Sequence, residues 1–134
     1  MSYVTITFPG DPKFVSEARK WTALALGREL PGVDSVVLIA SELASNALQH
    51  TASGEPGGTF TLHLATFSDR WQVRVDDGGG SSVPNASPGM EDDEGGRGLA
   101  VVSELSNSWG VLGDQYSRSV WAEIAFPCQE PSYG

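Results

Sequence analysis

The chain has 134 residues, 40% hydrophobic and 19% charged, with a formal net charge of -9 and a pI near 4.4. That length accommodates one domain with a sizeable core. The negative balance argues against a nonspecific nucleic-acid binder, which needs a positive field to displace counterions from phosphate, and against adhesion to an anionic membrane. It says little about a small anionic ligand, which responds to local backbone dipoles more than to net charge.

Taken in order, Tyr3 to Phe8 alternates and is β-rich, a short first strand. No basic stretch followed by an apolar core precedes it, so a secretory signal is not expected. Asp11 followed by Pro12 forms an N-cap and N1 pair. The helix they open is expected to run to about Arg28, with Phe14, Ala18, Trp21 and Ala25 on its packing side. Pro31 and Gly32 break the chain.

The next stretch, Asp34 to Thr51, is a second helix with Asp34 as N-cap. Val36, Ile39, Ala40, Leu43 and Ala47 recur at helical spacing and form its apolar face. Glu42 and Asn46 run along the edge of that face, four residues apart and so one turn above the other. A carboxylate and an amide placed this way either face a ligand or sit solvated at the rim, and the helix alone leaves both open.

Ala52 to Gly58 is a loop. Thr59 to Phe67 then alternates, with Phe60, Leu62 and Leu64 on one side, and Ser68-Asp69-Arg70 turns the chain into Trp71 to Asp76, with Val73 and Val75 staggered between polar neighbours. Short turns join antiparallel strands, so this is a hairpin. Asp77 to Gly96 lacks periodicity and is longer than ordinary connections, which marks a functional or disordered loop. Gly98 to Ser108 reads as a third helix with Leu99, Val102 and Leu105 inward. Trp109 to Leu112 and Ser117 to Phe126 are the last two strands, and 127–134 is a polar tail. Strands that pair mainly with sequence neighbours favour a mixed, largely antiparallel sheet with helices on one face, a two-layer α/β sandwich spanning a single domain. Thr61, His63, Gln72 and Arg74 suit its uncovered outer face.

Two glycine boxes remain. Asp76-Asp77-Gly78-Gly79-Gly80 follows a strand directly. Glycine lets a backbone approach a ligand closely, and an aspartate at a strand end can accept from an exocyclic amine such as that of adenine. Gly95-Gly96-Arg97-Gly98-Leu99 opens a helix, where free N–H groups and the dipole favour an anion, and Arg97 either adds charge or points to solvent. Neither box is the dinucleotide fingerprint or a phosphate loop ending in lysine, and no serine or cysteine hydrolase pattern is present. The single Cys128 makes no internal disulfide and no metal pattern with His50 and His63.

Together, Glu42…Asn46, Asp76-x-Gly78-x-Gly80 and Gly96-x-Gly98-Leu99 resemble, in order, the N box and two glycine boxes of the GHKL, or Bergerat-fold, ATPase superfamily. The short form, with a first strand ending Phe-Pro-Gly, the run ELASNALQHT and the final SVWAEI, is most similar to the anti-sigma-factor serine-protein kinases, over about residues 3–126. The resemblance implies ATP between the helices and a lid at Ser81 to Glu94, with Mg²⁺. By position, Asp76 would bind the adenine amine, Asn46 the metal, and Glu42 would orient or deprotonate the attacking group. Gly78 and Gly80 would approach the nucleotide, Gly96, Arg97, Gly98 and Leu99 would form the phosphate box, and Ser119 stands where relatives often carry threonine.

Two departures from the family pattern stand out. Glu91-Asp92-Asp93-Glu94 places four acids near the expected triphosphate and is read as a solvated lid tip, and Gln49 gives no positive charge on the second helix. The implied function is a cytoplasmic kinase that phosphorylates a small anti-sigma-factor antagonist. Its partners would be that antagonist, a sigma factor or both, with no direct nucleic-acid or membrane contact and with homodimerisation common in the family. The alternative is a nucleotide-holding interaction module without turnover.

Overall fold

The structure, a computed structural model, describes residues 1–50, 57–77, 94–113 and 117–127, with side chains at all of these except 50 and 94–98. The chain runs β1 (Ser2–Pro9), α1 (Lys13–Leu26), α2 (Val33–His50), β2 (Thr59–Thr66), β3 (Arg70–Asp77), α3 (Glu94–Leu105), β4 (Ser108–Gly113) and β5 (Arg118–Ala125). The five strands form one sheet in the order β1-β2-β3-β5-β4, and every pairing among the described residues is antiparallel. The three helices lie on one face, giving the expected two-layer sandwich. None of the helices in the described part is long and apolar enough to cross a membrane.

Strand periodicity decides which face is which. Along β3 the inward positions are Trp71, Val73, Val75 and Asp77, all buried, while Gln72, Arg74 and Asp76 point to the open face. On β2, Phe60, Leu62 and Leu64 point inward; on β5, Arg118, Val120, Ala122 and Ile124 do so. These meet Val36, Ile39, Ala40, Leu43, Ala44 and Ala47 of α2, which packs on both β3 and α3. Each fully buried Leu or Ile here contributes about 1.5–3 kcal/mol.

α1 differs from the periodic expectation at its far end. Its buried positions are Ala18, Thr22 and Leu26, whereas Ala25 is exposed. Thr22 can occupy the stripe because its hydroxyl donates to the Ala18 carbonyl at 2.8 Å, so no polar atom is buried unpaired. Asp11 accepts from the Lys13 N–H at 3.0 Å, as a capping aspartate should. The helix ends two residues before Arg28, because Gly27 adopts φ 98° and donates back to Ala23, a conformation open to glycine.

α3 begins at Glu94 rather than Gly98. Ser108, expected at the end of this helix, instead opens β4.

Candidate functional site

Register places the motifs at one end of the sandwich. β2 and β3 pair Thr61 with Asp76, and β3 and β5 pair Asp77 with Arg118, so the start of β2, the end of β3 and the start of β5 lie together. α2 ends at His50 and β2 starts at Thr59, so this short chain separation brings the C-terminal half of α2 to the same end. α3 must run away from it, since β4 begins opposite Glu123, at the other end of β5. The N-terminus of α3, with Gly95 and Gly96 in its first turn and Gly98 just beyond, therefore faces this end as well. First-turn N–H groups have no intrahelical acceptor and are suited to an anion.

Asn46 is the residue among the described buried polar groups whose amide is wholly unpartnered. It is 3% exposed on α2, and neither its amide oxygen nor its amide nitrogen has a hydrogen-bond partner among the described residues. An amide buried unpaired costs about 1–3 kcal/mol, and such a cost is rarely retained without a use. An oxygen donor of this kind fits a hard divalent cation such as Mg²⁺, which takes oxygen ligands and keeps several waters. Glu42 lies one turn earlier on the same helix, half-buried beside it.

Asp76 does not belong to this group. It projects from the opposite face of the sheet from α2, because Val75 before it and Asp77 after it both point inward. Its carboxylate is engaged there. Ser119 Oγ donates to Oδ1 at 2.5 Å, Arg74 Nε donates to Oδ1 at 3.0 Å, and His63 Nε2 lies 2.7 Å from Oδ2. Tyr3 Oη lies 2.5 Å from the other His63 nitrogen, so the ring bridges Tyr3 and Asp76 on the open face. Burial alone would raise the Asp76 pKa. The hydrogen bonds from Ser119 and His63, with the charge of Arg74, outweigh that and hold it below the ordinary carboxylate range. Asp76 and Ser119, expected as the adenine and nucleotide contacts, bond to each other across β3 and β5 on the open face, away from α2.

The carboxylate on the helix side is Asp77. Its side chain is 1% exposed and pairs with Arg118, 4% exposed, through Nε to Oδ2 at 3.3 Å. The two are direct cross-strand partners. Extending the alternation Trp71, Val73, Val75 by two residues gives the inward position of Asp77 from sequence. The inward Arg118 carried no comparable signal.

Leu99 is 1% exposed in the core, where it fixes α3 against α2 and the sheet. The side chain of Arg97, the glycines Gly78 and Gly80, and the expected lid Ser81 to Glu94, save the Glu94 backbone that opens α3, lie outside what the structure describes, as does Cys128. An apolar cavity of about 450 Å³, lined by Leu26, Leu30, Thr66, Trp71 and Phe126 among others, opens at the opposite end of the sheet and contains none of the motif residues.

Comparison with known proteins agrees with this architecture. The chain matches the histidine kinase-like ATPase domain over residues 8–119. It is 28% identical over 81 residues to the serine-protein kinase RsbW of Listeria monocytogenes serotype 4a, covering 58% of this chain and 52% of that protein. It is 27% identical over 84 residues to the serine-protein kinase RsbW of Bacillus velezensis, covering 60% and 52%. The aligned part spans about half the length of these relatives. With three helices on one face of an antiparallel sheet and the family match across most of its length, the chain belongs to the histidine kinase-like ATPase domain family.

Proposed function

We propose that this domain binds ATP with Mg²⁺ at the end of the sandwich where α2, β3 and α3 converge, and transfers the γ-phosphoryl group to a serine of a small protein. That protein would be an antagonist of an anti-sigma factor. The observation that carries the proposal is the buried, unpaired amide of Asn46 on the helix that also bears Glu42. The similarity to proteins named serine-protein kinase supports the choice of a protein serine over water as acceptor.

In this reading Asp77, not Asp76, accepts from the adenine amine. Asn46 holds the metal through its amide oxygen, and the first turn of α3 offers N–H groups to phosphate. Bound Mg²⁺ would neutralise charge on the phosphate oxygens. Glu42 takes the proton of the attacking hydroxyl or fixes its orientation, a role typically worth roughly 10²–10⁴ in rate. The net charge of -9 does not oppose nucleotide binding, because the local dipole and the metal set the field at the phosphates.

The test is incubation with Mg-ATP and candidate antagonist proteins, with phosphoserine followed by mass spectrometry. Transfer is expected with the unaltered protein and is lost in Glu42→Ala, which retains ATP binding by titration calorimetry. ATP binding without transfer to any antagonist removes the kinase assignment, and no ATP binding removes the site.

A further inference from the structure

The Asp77–Arg118 pair adds a residue to the nucleotide site that none of the sequence motifs contains. Both side chains are almost fully buried and lie directly opposite each other on β3 and β5. A carboxylate buried this deeply would take up a proton unless a positive charge compensated it. Protonation matters for reading a base. An ionised carboxylate only accepts hydrogen bonds, whereas a neutral carboxyl has one donor and one acceptor.

The two purine edges at issue differ in this respect. Adenine offers an amine donor at position 6 beside an acceptor at N1; hypoxanthine offers a carbonyl acceptor at position 6 beside a donor at N1. A neutral carboxyl satisfies both edges, by donating to N1 of one or to O6 of the other while accepting from the remaining N–H. An ionised carboxylate set opposite position 6, rather than N1, accepts from the adenine amine and repels the hypoxanthine carbonyl.

We propose that Arg118 is a positioning residue that sets base selectivity by holding Asp77 as an acceptor-only carboxylate against the 6-amino group of the purine. This rests on nucleotide binding at Asp77 as proposed above. It also explains an inward arginine on β5 at the only register position that faces Asp77 across the strand pair. The neighbouring outward residue, Ser119, serves Asp76 instead.

The test compares Mg-ATP with Mg-inosine triphosphate by titration calorimetry on the unaltered protein, Arg118→Gln and Arg118→Lys, with folding checked by circular dichroism. Loss of one hydrogen bond to a charged group corresponds to roughly tenfold or more in affinity. The unaltered protein should therefore prefer ATP by at least about tenfold. In Arg118→Gln, which keeps a donor but not the charge, the preference should fall to within about threefold, mainly through tighter inosine triphosphate binding. Arg118→Lys restores the charge and should restore the preference.

An unchanged ATP preference in Arg118→Gln overturns the proposal. Equal weakening of both nucleotides in Arg118→Gln and Arg118→Lys also overturns it, since that marks a purely structural arginine. Should Arg118→Gln not fold, Arg118→Lys decides alone: loss of the preference with binding intact overturns the proposal, and its retention supports it. Failure of the unaltered protein to bind either nucleotide instead overturns the nucleotide site itself.

Discussion

Replacing Asn46 with leucine should make the protein more stable and less able to respond to nucleotide. The amide is 3% exposed, with both polar atoms unpaired, so the ligand-free fold bears a desolvation cost of about 1–3 kcal/mol at this position. Leucine removes that cost, and its higher helix propensity adds about 0.5 kcal/mol within α2. Strain from the branched side chain, packed near Leu43 and Ala47, offsets part of the gain. The net expectation is a stabilisation of about 1–2 kcal/mol, which for a domain of this size raises Tm by roughly 3–10 °C.

Mg-ATP should also stabilise, but only the protein that keeps the amide. At a ligand concentration about 100 times Kd the unaltered protein gains about 2.7 kcal/mol, a shift of roughly 10 °C. In Asn46→Leu the Mg²⁺-dependent part of that shift should vanish. Thermal unfolding by circular dichroism, with and without Mg-ATP, reads both quantities from one sample. A variant that melts lower than the parent while keeping its full Mg-ATP shift would refute the assignment of Asn46 as a residue held unpaired for a ligand.

Three further outcomes follow from the same geometry. Asp77→Ala leaves Arg118 without its carboxylate in a buried setting and should cost about 3–5 kcal/mol in urea unfolding, along with ATP binding, whereas Asp76→Asn should bind ATP as the parent does. The Asp76 carboxyl has a folded-state pKa below its ordinary value, so its contribution to stability is complete above the usual carboxylate range and is lost as pH falls through the folded value. The Tm difference between the parent and Asp76→Asn should therefore be constant near neutrality and shrink in acid below about pH 4, the reference carboxylate range. Gly110→Ala should lower stability by about 1–3 kcal/mol, because the added Cβ would meet the Trp121 ring at 2.9 Å on the adjacent strand; chemical denaturation measures it, with ATP affinity as the unaffected control.

Residues that act through short-range pattern were legible before any coordinates. The apolar spacing of Val36, Ile39, Ala40 and Leu43 gives a helix with one buried face, and the alternation of Phe60, Leu62 and Leu64 gives a half-buried strand, because each period is a local property of the backbone. Glu42 and Asn46 fall on one helical edge for the same reason. What the sequence could not state is the partner each polar side chain meets. The pairing of β3 with β5 comes from residues more than forty positions apart, and it alone brings Arg118 opposite Asp77 on the helix side and Ser119 opposite Asp76 on the open side. Two adjacent aspartates with the same local chemistry thus acquired different partners. Side chains alternate faces along a strand, and only tertiary packing fixes which face meets the helices.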